Sequence, residues 1–422
     1  CLFIEDTATS EIYTLSLQAA LPVEVRRGWI QFNSTSRSKQ NVAHHYDLGN
    51  SLYALFLDKD WQYSCAYFPT GEETLDEAQE AKKHHIAAKL KLDRPGLEVL
   101  DIGCGWGGMA LTLAKDYGAR VTGITLSEEQ LAFARQRAQD AGLAGQVSFE
   151  LLDYRHLKRK FDRIVSVGMF EHVGVGHYKA FFETIRNALT PDGIALIHSI
   201  GRSDEPGTTN PWMNKYIFPG GYSPALSEVF SAVQQTGLWV TDCEILRLHY
   251  ARTIAIWRER FAARRPEAVA MYDERFARMF EFYLAAAELA FRVQGHMNFQ
   301  LQLSPSISAV PYTRDYMVDA GRSKTGVTYP SARWARANWS NSGMLRVSAR
   351  RVPSILAASS SFAPFRLLSE PRSILRLWPK AAAVTRSMAL NRAGAGCSRW
   401  GVMLATADQT AGGGVNAPGG SF

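Results

Sequence analysis

Residues 97–108, LEVLDIGCGWGG, constrain the fold more than any other stretch. Leu97, Val99, Leu100 and Ile102 make a short apolar run of the kind that forms a buried strand. The run breaks into closely spaced glycines, Gly103, Gly105, Gly107 and Gly108, after which MALTLAKDYG carries helical spacing. Strand, glycine turn and helix are the opening unit of a nucleotide-type Rossmann fold. The glycines let backbone approach a ligand without a Cβ clash, and Asp101 ends the strand at the crevice. The spacing is not the dinucleotide GxGxxG. A turn with no phosphate to seat fits a ligand such as S-adenosylmethionine. An ordinary tight turn before a helix has the same local signature, so the rest of the chain must decide.

The rest alternates. Residues 119–124 predict a second strand. Residues 127–141 predict a helix with Ser127 as N-cap and Gln130 at the capping-box position. Strands follow at 147–151 and 161–167, then a helix at 178–189 ended by the Pro191-Asp192-Gly193 turn, then a strand at 193–200. Such alternation predicts an α/β, Rossmann-like, mostly parallel sheet with helices on both faces. The second strand ends Thr125-Leu126-Ser127, without the acid that commonly holds a ribose. Ahead of the glycine turn, residues 74–92 predict a helix capped by Thr74 with Glu77 three residues on. Before that lies an aromatic cluster, Trp61, Tyr63, Tyr67 and Phe68, with Cys65 among them.

Residues 201–224 are rich in Gly, Pro and aromatics and follow a strand at the ligand edge, the place of a lid. A helix at 224–236 and a strand at 238–246 come next. Residues 249–293 read as helical with a break at Pro266. Their second half carries Tyr272, Phe276, Met279, Phe280, Tyr283, Leu284, Ala287 and Phe291 on or near one face, which suits either core or the wall of an apolar tunnel. Residues 296–303 alternate like a last strand.

The chain's 422 residues suffice for one large domain with additions. The net charge of +7 is misleading as a guide to partners. From Val318 onward there are 14 Lys and Arg against three acids, which leaves the body before it mildly acidic. A nucleic-acid reading would rest on the tail alone, and no nucleic-acid partner is expected. Five widely spaced cysteines argue against a disulfide framework and for a reducing compartment. The chain opens on Cys1, read as a truncated start, with a lipidated cysteine as the other reading. The expected organisation is an amino-terminal remnant or linker at 1–40, one domain at 41–317 with its helical lid at 201–293, and a low-complexity basic tail at 318–422. The tail is read as disordered or out of frame.

Nine motifs in register carry a family resemblance: HYDLGN at His45, YSCAYF at Tyr63, LDIGCGWGG at Leu100, GITLSEEQ at Gly123, DYR at Asp153, RIVSVGMFEHVG at Arg163, HSIG at His198, KYIFPGG at Lys215 and RMFEFYL at Arg278. On these the chain resembles the cyclopropane-fatty-acyl-phospholipid synthase and mycolic-acid cyclopropane synthase family of S-adenosylmethionine methyltransferases, from about Asn41 to Met317. The resemblance implies a cofactor site. Tyr63 and Ser64 reach it from the amino-terminal cover. Asp101, Gly103, Gly105 and Trp106 form its floor. Thr125, Leu126 and Gln130 face the ribose and methionine portions, and Tyr154 flanks the adenine. It also implies a bicarbonate ion held by Cys65, Glu171, His198, Ile200 and Tyr283. No metal is implied.

The implied chemistry is methylene transfer to a cis double bond of an unsaturated phospholipid acyl chain. The alkene attacks the sulfonium methyl, leaving a carbocation that an apolar tunnel shields from water. Bicarbonate removes a proton and the ring closes, with the charge of Glu171 orienting the ion. Each of these residues also has a purely structural reading: Glu171 as a helix cap, His198 as a satisfied strand-end histidine, Tyr283 as core, Cys65 as merely buried. The expected setting is cytoplasmic, at the inner membrane face, with a homodimer left open. A methyl-branching fatty-acyl C-methyltransferase and a small-molecule N-methyltransferase are rival activities, and a cofactor-binding remnant is the non-enzyme alternative.

Overall fold

Helix caps written into the sequence set where the chain turns. The computed structural model of the protein describes residues 49–325. Residues 1–40, the first four residues of HYDLGN and the stretch from 326 onward lie outside the described residues. A one-turn helix α1 (Asn50–Tyr53) leads through the aromatic segment to α2 (Leu75–Lys89). The Thr74 hydroxyl accepts from the Glu77 N–H, and the Glu77 carboxylate accepts from the Thr74 N–H at 2.9 Å, a reciprocal capping box. The alternating body follows as β1 (Glu98–Ile102), α3 (Gly108–Tyr117), β2 (Arg120–Thr125), α4 (Glu128–Asp140), β3 (Val147–Leu151), β4 (Phe161–Val167), α5 (Tyr178–Ala188) and β5 (Leu189–Arg202). Beyond it come α6 (Pro211–Tyr216), α7 (Leu226–Gln234), β6 (Trp239–Ile245), α8 (His249–Ala263), α9 (Arg265–Met271), α10 (Glu274–Val293), β7 (His296–Ser304) and α11 (Asp315–Thr325).

The strands form one sheet in the order β3-β2-β1-β4-β5-β7-β6. The first five are parallel, and β7 lies antiparallel between β5 and β6. Successive strand residues alternate faces. Leu97 and Val99 enter a core with Ile86, Leu113 and Ala134 of α2, α3 and α4. Leu100 and Ile102 enter the opposite core with Phe181 and Ile185 of α5 and Val229 of α7. A third core, under the aromatic segment and α8–α10, holds Phe56, Trp257, Phe261 and Phe280. The sequence expectation of a mostly parallel, doubly covered sheet is met.

Some element ends differ from expectation, each for a local reason. β5 begins at Leu189, inside the stretch read as a turn. The ladder jumps from Phe161↔Leu189 to Arg163↔Ile194, so Pro191-Asp192-Gly193 marks an irregularity rather than the end of pairing. The helical break falls at Arg264, and Pro266 sits in the first turn of α9, where a missing N–H costs nothing. A second break at Tyr272-Asp273 was not expected. There the Asp273 carboxylate accepts from the Phe276 N–H at 2.7 Å and starts α10 anew. The expected domain end at 317 falls inside α11. Just before that helix Arg314 pairs with Asp242 at 2.9 Å, and in its first turn Tyr316 OH accepts from Gln302 at 2.7 Å. Among the described residues no helix is long and apolar enough to cross a membrane.

Candidate active site

The carboxyl ends of β1, β2 and β4 open onto a cavity, as parallel sheets do at the point where strand order reverses. Every residue expected to hold the cofactor lines it: Tyr63, Ser64, Asp101, Gly103, Gly105, Trp106, Thr125, Leu126, Gln130 and Tyr154. The turn after β1 brings backbone to the cavity. Gly103 has φ +78°, and a Cβ there would sit 2.9 Å from the Met169 side chain. Gly105 has φ +53° and nothing within 4 Å of where a Cβ would stand.

Asp101 is buried, and its Oδ2 has no partner in the protein. Burial pushes its carboxyl up to about 7. An unpaired buried carboxyl lining this cavity suits a cationic ligand group. Gln130 leaves the capping box half made. Its N–H donates to Ser127 Oγ at 3.2 Å, but its side-chain oxygen accepts from the Thr125 hydroxyl at 3.1 Å instead of returning to the cap. The Trp106 indole N–H donates to Asn50 Oδ1 at 2.7 Å, tying HYDLGN to the glycine turn. Tyr154 stands edge-on to Phe181, with ring centroids 5.2 Å apart.

Beside this cavity lies a larger one, about 1690 Å³, sharing Tyr63, Ser64, Gly168 and His172 with the first. Cys65, Glu171, His198, Ile200 and Tyr283 all line it. They come from four places in the sequence: the aromatic segment, the turn after β4, β5 and α10. Glu171 accepts from the Ile200 N–H at 2.7 Å through Oε1, while its buried Oε2 has no protein partner. Burial pushes Glu171 up to about 7. His198 stands between Gln300, 3.1 Å from Nδ1, and Asn298, 3.4 Å from Nε2. Burial holds it well below the usual histidine range, so it is neutral. A neutral imidazole has one donor and one acceptor, so one of the two amides must present its oxygen. Tyr283 OH lies 2.8 Å from Tyr63 OH, and burial raises its phenol to about 12. The Cys65 thiol is fully buried and pushed far up. It is a neutral wall and not a nucleophile.

Residues that sequence reasoning missed support both cavities. Lys82 of α2 is fully buried, and its ammonium donates to Gln62 Oε1 at 2.5 Å and Ser64 Oγ at 2.8 Å. Gln79 donates to the Gln62 and Ser64 carbonyls at 3.2 and 3.0 Å. Together they fix the strip that carries Tyr63. Burial lowers Lys82 to about 8. In the sequence, the Lys82-Lys83 pair on a capped helix looks like a solvated face, and only the fold reveals what covers it. Trp61 lines the cofactor cavity with a left-handed φ of 60°, a conformation that a bulky residue keeps only under tertiary constraint.

A Rossmann-like sheet with this turn and cavity defines a class I S-adenosylmethionine-dependent methyltransferase, and the comparisons with known proteins agree. A family model described as mycolic acid cyclopropane synthetase matches residues 33–301. The chain belongs to that family. It is 42% identical over 278 residues to cyclopropane-fatty-acyl-phospholipid synthase of Escherichia coli (strain K12), covering 65% of this chain and 71% of that one. It is 39% identical over 288 residues to a probable fatty acid methyltransferase of Pseudomonas putida, covering 65% and 73%. Among solved structures, mycolic acid cyclopropane synthase CmaA1 complexed with SAH and CTAB matches with a TM-score of 0.60 at 33% identity, covering 63% of this chain and 97% of that one.

Asp101 supplies a test of the cofactor cavity. A bound ammonium favours the ionised carboxyl, so binding should release a proton below about pH 7. The affinity for S-adenosylhomocysteine, measured by calorimetry, should rise with pH by up to about tenfold per unit and level off above about 7. Asp101→Asn should bind more weakly and lose that slope. A flat wild-type profile would place the ligand's cation elsewhere.

Proposed function

We propose that the enzyme transfers a methylene group from S-adenosylmethionine to the cis double bond of an unsaturated phospholipid acyl chain, closing a cyclopropane ring. The observation that supports this most is that the two cavities adjoin, with Tyr63, Ser64, Gly168 and His172 lining both at their junction. The larger one is walled by Ile254, Met279, Ala287, Phe291 and their neighbours and meets its polar cage near that junction. An acyl chain would lie along the apolar wall with its double bond at the junction.

When bound, S-adenosylmethionine supplies an electrophilic methyl group. The chain's own residues must position the alkene, keep water from the cation formed on the acyl chain, and hold a base near the new methyl. One carbon and two hydrogens are gained, and one proton leaves. The apolar walls serve the second need. The cage of Cys65, Glu171, His198, Ile200 and Tyr283 would serve the third by holding bicarbonate, which would supply that base.

The charge states fit an anion. A glutamate ionised beside bicarbonate would repel it. Burial raises Glu171 to about 7, so below neutral pH it is a protonated carboxyl, with Oε2 free of protein partners and able to donate. The Tyr283 hydroxyl is a second donor. Glu171 is therefore read as a hydrogen-bond donor to the ion rather than as a fixed charge.

The test is incubation with labelled S-adenosylmethionine and a cis-unsaturated phospholipid dispersed in detergent. The expected product is a lipid heavier by one CH2 whose proton spectrum shows ring methylene signals. A methyl-branched or methylene-bearing chain without a ring would mean that the same cation loses a different proton. Cofactor turnover without lipid would overturn the proposal in favour of a small-molecule acceptor.

A further inference from the structure

We infer that the outer face of α10 is a docking surface for an anionic phospholipid bilayer, set so that the acyl cavity opens where the helix meets the lipid. The inference rests on the lipid-substrate reading above and adds where and how the membrane is engaged.

The argument begins with the helix's periodicity. At about 100° per residue, Arg275, Arg278, Phe282, Ala286, Leu289 and Val293 fall in one stripe spanning roughly 80°. Phe282 is 58% exposed, Leu289 52% and Val293 72%. Scattered exposed hydrophobics need no explanation, but a row along one helix face does. This row borders the substrate cavity. All of the stripe but Val293 also lines the cavity, and the next face of the helix, Met279, Tyr283, Ala287 and Phe291, continues into it.

Along the same cavity, α6 adds the half-buried Trp212 and the exposed Tyr216. The Trp212 ring meets Phe282 edge-on at 4.8 Å, and Lys215 lies beside Tyr216. Exposed aromatics with neighbouring cations are what a water–lipid interface selects.

Charge decides what occupies the face. The acids of α10 lie off the stripe and are held by arginines. Glu274 pairs with Arg265 and, at 3.8 Å, with the exposed Arg278; Glu281 also pairs with Arg265, and Glu288 pairs with Arg258 at 2.9 Å. The stripe therefore presents Arg275 and Arg278 at one end and apolar side chains along the remainder. A bilayer with anionic headgroups matches both parts. The arginines meet phosphate, and Phe282, Leu289 and Val293 enter the acyl boundary. A chain drawn out of the bilayer would then pass between α10 and α6 into the cavity without crossing water.

The test uses the full chain and no cofactor, so its outcome does not depend on turnover. Binding is measured by co-sedimentation with phosphatidylcholine vesicles, with and without phosphatidylglycerol. The triple substitution Phe282→Glu, Leu289→Glu and Val293→Glu should lower partition into anionic vesicles by at least about tenfold. Arg275→Gln with Arg278→Gln should lower it by about tenfold on anionic vesicles and leave neutral ones unchanged. None of these residues lines the cofactor cavity, so unchanged affinity for S-adenosylhomocysteine certifies the fold. If the triple variant fails that check, the arginine pair decides. Segments outside the described residues are common to all the proteins, so differences report on the helix face. A wild type that does not partition, or folded variants that partition like it, overturns the inference. Failure to form a cyclopropane lipid in detergent would instead count against the proposed reaction.

Discussion

Glu171→Gln should lower kcat by about 10²–10³, or roughly 2.7–4 kcal/mol, and leave cofactor affinity within about twofold. Glu171 lines the larger cavity and not the one at the carboxyl ends of β1, β2 and β4, so on the proposed reading the loss belongs in turnover. The substitution is conservative in shape. A glutamine oxygen can still accept from the Ile200 N–H, now 2.7 Å from Oε1, so the turn after β4 should hold. What changes is the group at Oε2, from an acidic O–H to a weaker amide donor that never titrates. The pH dependence should change with it. Burial raises the wild-type carboxyl to about 7. At fixed bicarbonate, kcat/KM should fall as pH rises through that value and the donor ionises. The variant should lack that arm.

Stability offers an independent readout of the same group. The folded state holds the Glu171 proton more tightly than the unfolded chain, whose carboxyl has the ordinary value of 4.5. Its contribution is fully present below that value and is lost as pH rises through about 7. Thermal unfolding of the wild type should therefore show a loss across this window that Glu171→Gln does not. A variant with near-normal kcat and weakened cofactor binding would move Glu171 into the cofactor site and dissolve the proposed cage.

The legible part of this molecule is the part where local chemistry and tertiary structure ask for the same thing. Thr74 and Asp273 are both helix caps. The first was readable because Glu77 completes a box. The second was hidden because Tyr272 and Phe276 extend the apolar stripe straight across it, and their rings stack at 4.1 Å over the break. Ser127 was readable as a cap, but Gln130 was drawn away from the box by Thr125, a partner supplied by the end of a neighbouring strand. The antiparallel insertion of β7 between β5 and β6 left no mark in the sequence, since the alternation of residues 296–303 is the same in either direction.

The site was legible as chemistry but not as geometry. HSIG and MFEHVG mark His198 and Glu171. Nothing in them shows that Glu171 closes onto the Ile200 backbone, or that Asn298 and Gln300 of the last strand flank His198. Those two amides lie in HMNFQLQL, where polar residues at every second position read as an outward face. The register Ile200↔Asn298 and His198↔Gln300 turns that face inward to the site. Lys82 was missed for the converse reason. A buried lysine is rare enough that sequence reasoning assigns it to solvent, and the acceptors of the Gln62–Ser64 strip together with the charges of Asp58 and Asp60 make its burial tolerable.

Gly105→Val should abolish measurable cofactor binding while the protein remains folded. The glycines of the turn differ in what limits them. At Gly107 a Cβ would stand 2.7 Å from the Phe149 ring and 3.1 Å from Ala134, so a side chain there attacks the core. At Gly105 nothing beyond the chain neighbours lies within 4 Å of where a Cβ would stand, and the residue lines the cofactor cavity. The space a side chain would take is ligand space. The backbone adds its own cost, because φ is +53°. A β-branched residue in this left-handed region loses roughly 1–2 kcal/mol, enough to lower the melting temperature by a few degrees and too little to unfold a domain of this size. Gly105→Ala separates the two effects. It carries the same backbone cost with one methyl group, so it should melt near the valine variant yet keep part of the affinity for S-adenosylhomocysteine. Calorimetry and thermal unfolding on both variants read the difference. If Gly105→Val binds as the wild type does, the cofactor does not approach this turn, and the cavity at the ends of β1, β2 and β4 is not its site.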